Sequence, residues 1–211
     1  AFGDPRLTTD NKGPGEAALA ILSPDIKLSI GGSGDIEVKN TPVEVKAAAG
    51  QSTGAGRLTP TKNTLGNYDS KVVAKMLFPN DQTKQDALNQ NYRNCSANIF
   101  GKFVEDFQLE TNQVQTLLSN IFKEESIQDM VSKVAAKGKN ITGKDLLGLS
   151  IYNYGRSQND EHFLILVKST RSSLYFQIDN WDQPGLQFGL TVFGSDLRTV
   201  GQTQIGILKR A

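Results

Sequence analysis

Apolar positions change their period twice along the chain, and the changes divide it into three parts. From Ile26 the period is two. Ile26, Leu28 and Ile30 alternate with Lys27 and Ser29, Ile36 and Val38 with Glu37 and Lys39, and Val43 and Val45 with Glu44 and Lys46. Gly31-Gly32-Ser33-Gly34 and Asn40-Thr41-Pro42 separate these runs, so the pattern predicts a three-stranded meander with a wet Lys/Glu face and a narrow aliphatic stripe. Three short strands are marginal alone, and the stripe must lie on something larger. On either side, residues 1–16 (AFGDPRLTTDNKGPGE) read as an extended arm and residues 47–66 as a linker, from their Gly, Pro, Ser and Thr content.

In the middle of the chain the period lengthens. Leu88, Tyr92, Cys95, Ile99, Phe103 and Phe107 step by three or four and form one stripe of a long helix, with Asn80, Asp81 and Thr83 as cap candidates upstream. Val114, Leu117, Leu118, Ile121 and Phe122 repeat the spacing. Ser126 with Asp129, and Thr142 with Asp145, have the form of capping boxes and predict two further helix starts, the first of these helices closing near Gly138.

The last third returns to strands. Ile151–Tyr154 is a short strand candidate, and Phe163–Val167 is an unbroken apolar run suited to a strand covered on both faces. Leu174, Phe176 and Ile178 then alternate with Tyr175 and Gln177. After the turn cluster Asn180–Gly185 the alternation resumes at Leu186, Phe188, Leu190 and Val192, and Ile205–Leu208 closes the chain. Strands and helices are segregated rather than alternating, which predicts an α+β fold: an N-terminal β meander and extended arm, a central helical segment, and a C-terminal antiparallel sheet. The expected organisation is residues 1–66 as arm, meander and linker, and residues 67–211 as the α+β core.

Composition sharpens this picture. The hydrophobic share of the 211 residues is 37%, against roughly 45–50% in ordinary globular chains, so the core is modest. The polarity is mostly neutral: 15 Asn, 14 Gln, 15 Ser and 15 Thr join 20 Gly, while 23 Lys and Arg against 22 Asp and Glu leave a net charge of +1. Such a balance removes the long-range field that gathers nucleic acid or anionic membrane, so any such binding must be local. One cysteine excludes an intramolecular disulfide framework and a cysteine zinc cage. No apolar stretch approaches the roughly 18 residues of a membrane span, and a soluble chain is expected. The initial Ala1 fits either a trimmed initiator or a cleaved leader.

Each candidate for chemistry competes with a plainer reading. Gly138-Lys139-Asn140-Ile141-Thr142-Gly143-Lys144-Asp145 matches a phosphate loop until Asp145 takes the place of the Ser or Thr that reaches magnesium. It follows a predicted helix rather than a strand, which favours an inter-helix loop with Thr142 as cap. A weaker anion or nucleic-acid site remains in Lys133, Lys137, Lys139 and Lys144 beside that helix start. His162 follows Asp160-Glu161, the setting of an oriented base, yet no nucleophile accompanies it: Ser33 in GGSGD and Ser150 in GLSIY both miss the nucleophile-elbow pattern. Cys95 lies on the apolar stripe and reads as a buried, inert thiol. Trp181 with Asp179 and Asp182 joins an aromatic face to carboxylates, as in sugar recognition, or else pins a loop to the core. No cofactor or metal set is expected, and the sequons at Asn94 and Asn140 are about as many as chance provides.

Two functions from different classes follow. The first is a non-enzymatic structural or assembly subunit of a large particle, of the virion coat, tail or filament type, set in a virion or outside the cell. Its ordered N-terminal arm, too poor in apolar surface to fold alone, would take its shape from neighbouring copies in a homo-oligomer. The alternative is a secreted glycan-binding module or glycoside hydrolase using Trp181, Asp179 and Asp182, with Glu161 as an acid.

Overall fold

The computed structural model describes residues 14–29, 34–48, 57–58, 68–167, 172–182, 186–196 and 200–207. Among them are seven α-helices: α1 (Pro14–Leu22), α2 (Ser70–Leu77), α3 (Gln82–Asn91), α4 (Phe100–Asp106), α5 (Thr111–Ile121), α6 (Gln128–Ala135) and α7 (Gly143–Gln158). The strands are β1 (Ile26–Leu28), β2 (Ile36–Val38), β3 (Thr41–Ala48), β4 (Arg57–Leu58), β5 (Cys95–Ser96), β6 (His162–Val167), β7 (Ser172–Gln177), β8 (Leu186–Phe193) and β9 (Thr203–Ile207). They form a five-stranded mixed sheet in the order β1-β2-β3-β6-β7 and a four-stranded antiparallel sheet in the order β4-β9-β8-β5. The architecture is α+β, with a strand region near the N-terminus and antiparallel strands at the C-terminal end.

The meander forms where the period-two pattern places it, with Ile26 opposite Val38 and Ile36 opposite Val43. What it lies on is the chain itself. β3 pairs in parallel with β6, Glu44 opposite Phe163 and Val45 opposite Leu164, so the N-terminal strands extend the sheet begun by the β6–β7 hairpin. β4 likewise joins β9. The described part of residues 1–66 therefore takes its shape from its own body, while residues 1–13, 30–33 (with Ile30 and most of the predicted glycine turn), 49–56 and 59–67 lie outside the described residues. Residues 14–16, read as arm, belong to α1, whose Leu19 packs against Ile36, Val43 and Val45.

The helical part departs from the expectation in three places. The stripe from Leu88 to Phe107 is not one helix. α3 ends at Tyr92, whose N–H bonds the Leu88 carbonyl, and Cys95–Ser96 leaves as β5 to pair with β8 before α4 begins. Leu88, Tyr92, Cys95 and Phe103 all remain buried, because periodicity reports which residues face the core and not whether the backbone between them is continuous. Ile151–Tyr154 is helical, not a strand. The Thr142–Asp145 capping box is present, with the Asp145 N–H donating to the Thr142 hydroxyl and the Thr142 N–H to the Asp145 carboxylate, and α7 then runs unbroken to the left-handed Asn159. Ser126 caps nothing: its hydroxyl donates to Glu124, and α6 starts at Gln128 after a 3-10 turn. α2 was not legible in the apolar pattern; its signal is Asp69, whose carboxylate accepts from the Val72 N–H at 2.7 Å.

The main core joins α2–α7 to β8. Phe103 is its centre, with ring centroids 5.1–5.5 Å from those of Phe193, Tyr92, Phe100 and Phe107. Burying each such ring is worth about 1.5–3 kcal/mol. A second, smaller cluster of Leu58, Ile151, Tyr154, Phe163, Phe176, Ile178 and Ile205 fastens α7 to both sheets.

Candidate functional site

The largest concentration of perturbed ionisable groups lies where the meander meets α7. Three consecutive residues of β3 are buried, Val43 and Val45 toward the α1 side and Glu44 toward α7. The Lys/Glu face expected to be wet is thus covered at Glu44, which is 6% exposed. Its Oε1 accepts from the Lys46 ammonium and from the Tyr154 hydroxyl of α7, and Lys46 also stands 5.6 Å from the centre of the Tyr154 ring. Asp35, in the turn before β2, enters from the strand side and accepts the Val45 N–H at 2.9 Å.

Asp160 completes the cluster from the α7–β6 connection. Asn159 turns the chain at φ 56°, and the Asp160 N–H bonds the Gly155 carbonyl at 2.8 Å. Gly155 is required there, since a Cβ would stand 2.7 Å from the Asp160 carbonyl oxygen and 2.7 Å from Ile178 Cδ1. Asp160 is 1% exposed, and neither carboxylate oxygen has a hydrogen-bond partner among the described residues. A bare buried carboxylate is costly, so the physical response is to hold a proton. Burial, then the charge of Glu44 and the hydrogen bond that a protonated Asp160 offers to it, push the Asp160 pKa up to about 7. Burial and Glu44 raise Asp35 as well. At Glu44 burial pulls upward too, but the charge of Lys46 and the hydrogen bonds from Lys46 and Tyr154 outweigh it and keep this carboxyl below its ordinary value. Burial and Glu44 hold the Tyr154 phenol protonated. The arrangement is one ionised carboxylate, Glu44, paired to one cation and flanked by two carboxyls that resist ionisation. Among the described residues no group of three or more His, Cys, Asp and Glu side chains is arranged to hold a metal ion.

The residues singled out in the sequence lie elsewhere. Lys137 pairs with Asp145, Lys139 with Glu105 at 3.1 Å, and Lys144 with Asp182, so three of the four lysines of the suggested anion site already face a carboxylate; Lys133 lies on α6. The phosphate-loop-like segment is a 3-10 turn followed by the Thr142 cap. Trp181 is half-buried, against Phe188 at 5.9 Å between ring centres and above Gly148 of α7. Its neighbours are engaged as well, Asp179 accepting the Tyr152 hydroxyl and Asp182 held below its ordinary pKa by Lys144. These contacts pin the loop to α7.

His162 lies on β6 with its Nδ1 within hydrogen-bonding distance of the Tyr175 hydroxyl, the two rings stacked, while Glu161 pairs with Arg156. Ser150 is buried, donating to the Gly201 carbonyl and accepting from Thr203, which is no setting for a nucleophile. Burial pushes the Cys95 thiol pKa up, as expected of an inert cysteine. Ser33 lies outside the described residues.

Sequence order does not show the acidic cluster because Asp160 lies 116 residues beyond Glu44, and the parallel β3–β6 pairing is what brings it to the Asp35–Glu44 side of the meander. On the outside of the molecule, large apolar side chains remain in water at Ile21 (72% exposed), Leu22 (79%) and Tyr175 (51%). No helix among the described residues is long and apolar enough to cross a membrane. No family model matches the chain, and neither the curated proteins nor the solved structures provide a match.

Proposed function

We propose that the chain is a non-enzymatic structural subunit that assembles with copies of itself, of the kind that builds a virion coat, tail or filament. The observation that supports this reading is the corner formed by α1 and β1. α1 has aliphatic residues on more than one side: Leu19 is seated on the meander, whereas Ile21 and Leu22 face water. Beside them β1 ends the five-stranded sheet, and its outer edge has no strand partner among the described residues. An unpaired edge next to exposed aliphatic side chains is a template for another chain. A second copy supplies both surfaces, and a net charge of +1 opposes the approach of copies only weakly.

Light scattering across a range of protein concentrations tests the proposal. The wild-type mass is expected to rise above that of a single chain, and the double variant Ile21→Glu, Leu22→Glu is expected to stay at that mass. A wild-type protein that remains a single chain at every concentration removes the assembly reading. A variant that associates as well as the wild type removes the α1–β1 corner as its contact.

A further inference from the structure

We propose that Asp35, Glu44 and Asp160 form a proton-operated latch: a proton shared between Asp160 and Glu44 fastens the β1–β3 meander to α7, and its loss to solvent loosens the meander from the body. Such a latch is independent of self-assembly and lies in the geometry of the junction. Glu44 and Lys46 come from the meander, Tyr154 and Asp160 from the body, and Asp35 from the turn before β2. Among the described residues Asp160 has no donor for either oxygen, so only its protonated form has a hydrogen bond to offer, and Glu44 is the carboxylate it is coupled to.

Charge decides the direction. With Asp160 protonated, the Lys46 ammonium offsets the Glu44 carboxylate within the junction. Loss of that proton leaves a second buried carboxylate beside Glu44, with the same single lysine to offset both. Glu16 of α1 adds a further negative charge near Asp35. On the β6 side the neighbouring residue is Phe163, which brings no charge. Like carboxylates in a buried site do not ionise together without cost.

The pH window follows from linkage. Asp160 titrates near 7 when docked and near the ordinary aspartate value of roughly 3.9 when released into water. Between these values the docked form binds more protons than the open form. Docking therefore weakens as pH rises through this interval and levels off above about 7. Asp35, raised as well, adds to the same trend. Glu44 acts in the opposite sense: its depressed pKa makes its contribution full above its ordinary value and lost only as pH falls below that. The latch is accordingly tightest in mildly acidic solution.

Hydrogen exchange of the full chain, corrected for the intrinsic pH dependence of amide exchange, measures the opening. Between pH 5.5 and pH 8 the protection of amides in 36–48 is expected to fall by roughly tenfold or more relative to amides of α4 and α5, the linkage of one carboxyl shifted by this amount. Asp160→Asn keeps a donor for Glu44 without a titratable proton, and is expected to hold the protection nearly level across the same range. Lys46→Met, which removes the offsetting charge, is expected to move the wild-type midpoint to higher pH. Protection of 36–48 that does not change with pH in the wild type overturns the proposal without recourse to any variant, as does an undiminished fall in Asp160→Asn or an unmoved midpoint in Lys46→Met.

Discussion

Phe103 and Glu44 sit at the centres of two regions that are held together in different ways. Around Phe103 the contacts are rings and aliphatic side chains from α2–α6 and β8; at the margin Tyr92 donates to Asp106, whose pKa the hydrogen bonds from Lys102 and Tyr92 hold below its ordinary value, so that carboxylate stays ionised across ordinary pH. Around Glu44 the apolar support is thin, three buried aliphatics in Ile36, Val43 and Val45, and the remaining space at the junction is filled by carboxyls, a lysine and a phenol. The first region draws on apolar burial, which is non-directional and indifferent to pH. The second depends on hydrogen bonds that exist in one protonation state. One chain thus contains a body whose stability is unconditional over ordinary pH and an N-terminal sheet half whose attachment is conditional.

Substitutions separate the two regions. Phe103→Ala has the largest expected effect: it empties the centre of the aromatic cluster and should cost about 3–5 kcal/mol of global stability, by the same amount at pH 5.5 and pH 8, in urea unfolding followed by circular dichroism. A cost that varied strongly with pH would mean that the aromatic core, too, depends on a charge state. Gly155→Ala is next. Its methyl group would meet the Asp160 carbonyl and Ile178 Cδ1, both at 2.7 Å, so a loss of about 1–3 kcal/mol is expected, with exchange protection reduced first in 36–48 rather than in α4. Equal loss in both regions would mean that the meander and the body open as one unit. Thr142→Ala should have the smallest effect, about 1 kcal/mol from the lost cap, confined to α7 and measurable as faster exchange of the amides of residues 143–146. No change there would show that Lys137 and Asp145 hold the helix start without the hydroxyl.

These regions were unequally legible in the sequence. The helices α5 and α7 and the strands β6, β7 and β8 follow from period and caps, because each of those signals is local: the Thr142–Asp145 box, the Val114–Ile121 spacing, the alternation from Leu174 to Ile178. The break between α3 and α4 was hidden, since Tyr92 and Cys95 keep a helical spacing while the backbone between them departs to pair with β8. Ile151–Tyr154 misled in the opposite direction: the residue types suit a strand, but the cap at Thr142 and the burial of Ile151 and Tyr154 against β6 and β7 keep it helical. Of the cluster around Glu44, nothing in sequence order joins Asp35, Glu44, Tyr154 and Asp160.

By itself the sequence determined the class of the fold, the capped start of α7, the burial of Cys95 and the near-neutral surface, all of which depend on residue type and on spacing within a turn or a strand. The tertiary structure alone decided that β3 lies parallel to β6, that the meander rests on its own chain, and that a glutamate on an apparently wet strand face is closed under α7. The reason is physical: burial and electrostatic coupling depend on distance in space, and a parallel pairing brings together carboxylates more than a hundred residues apart whose protonation no local pattern can prescribe.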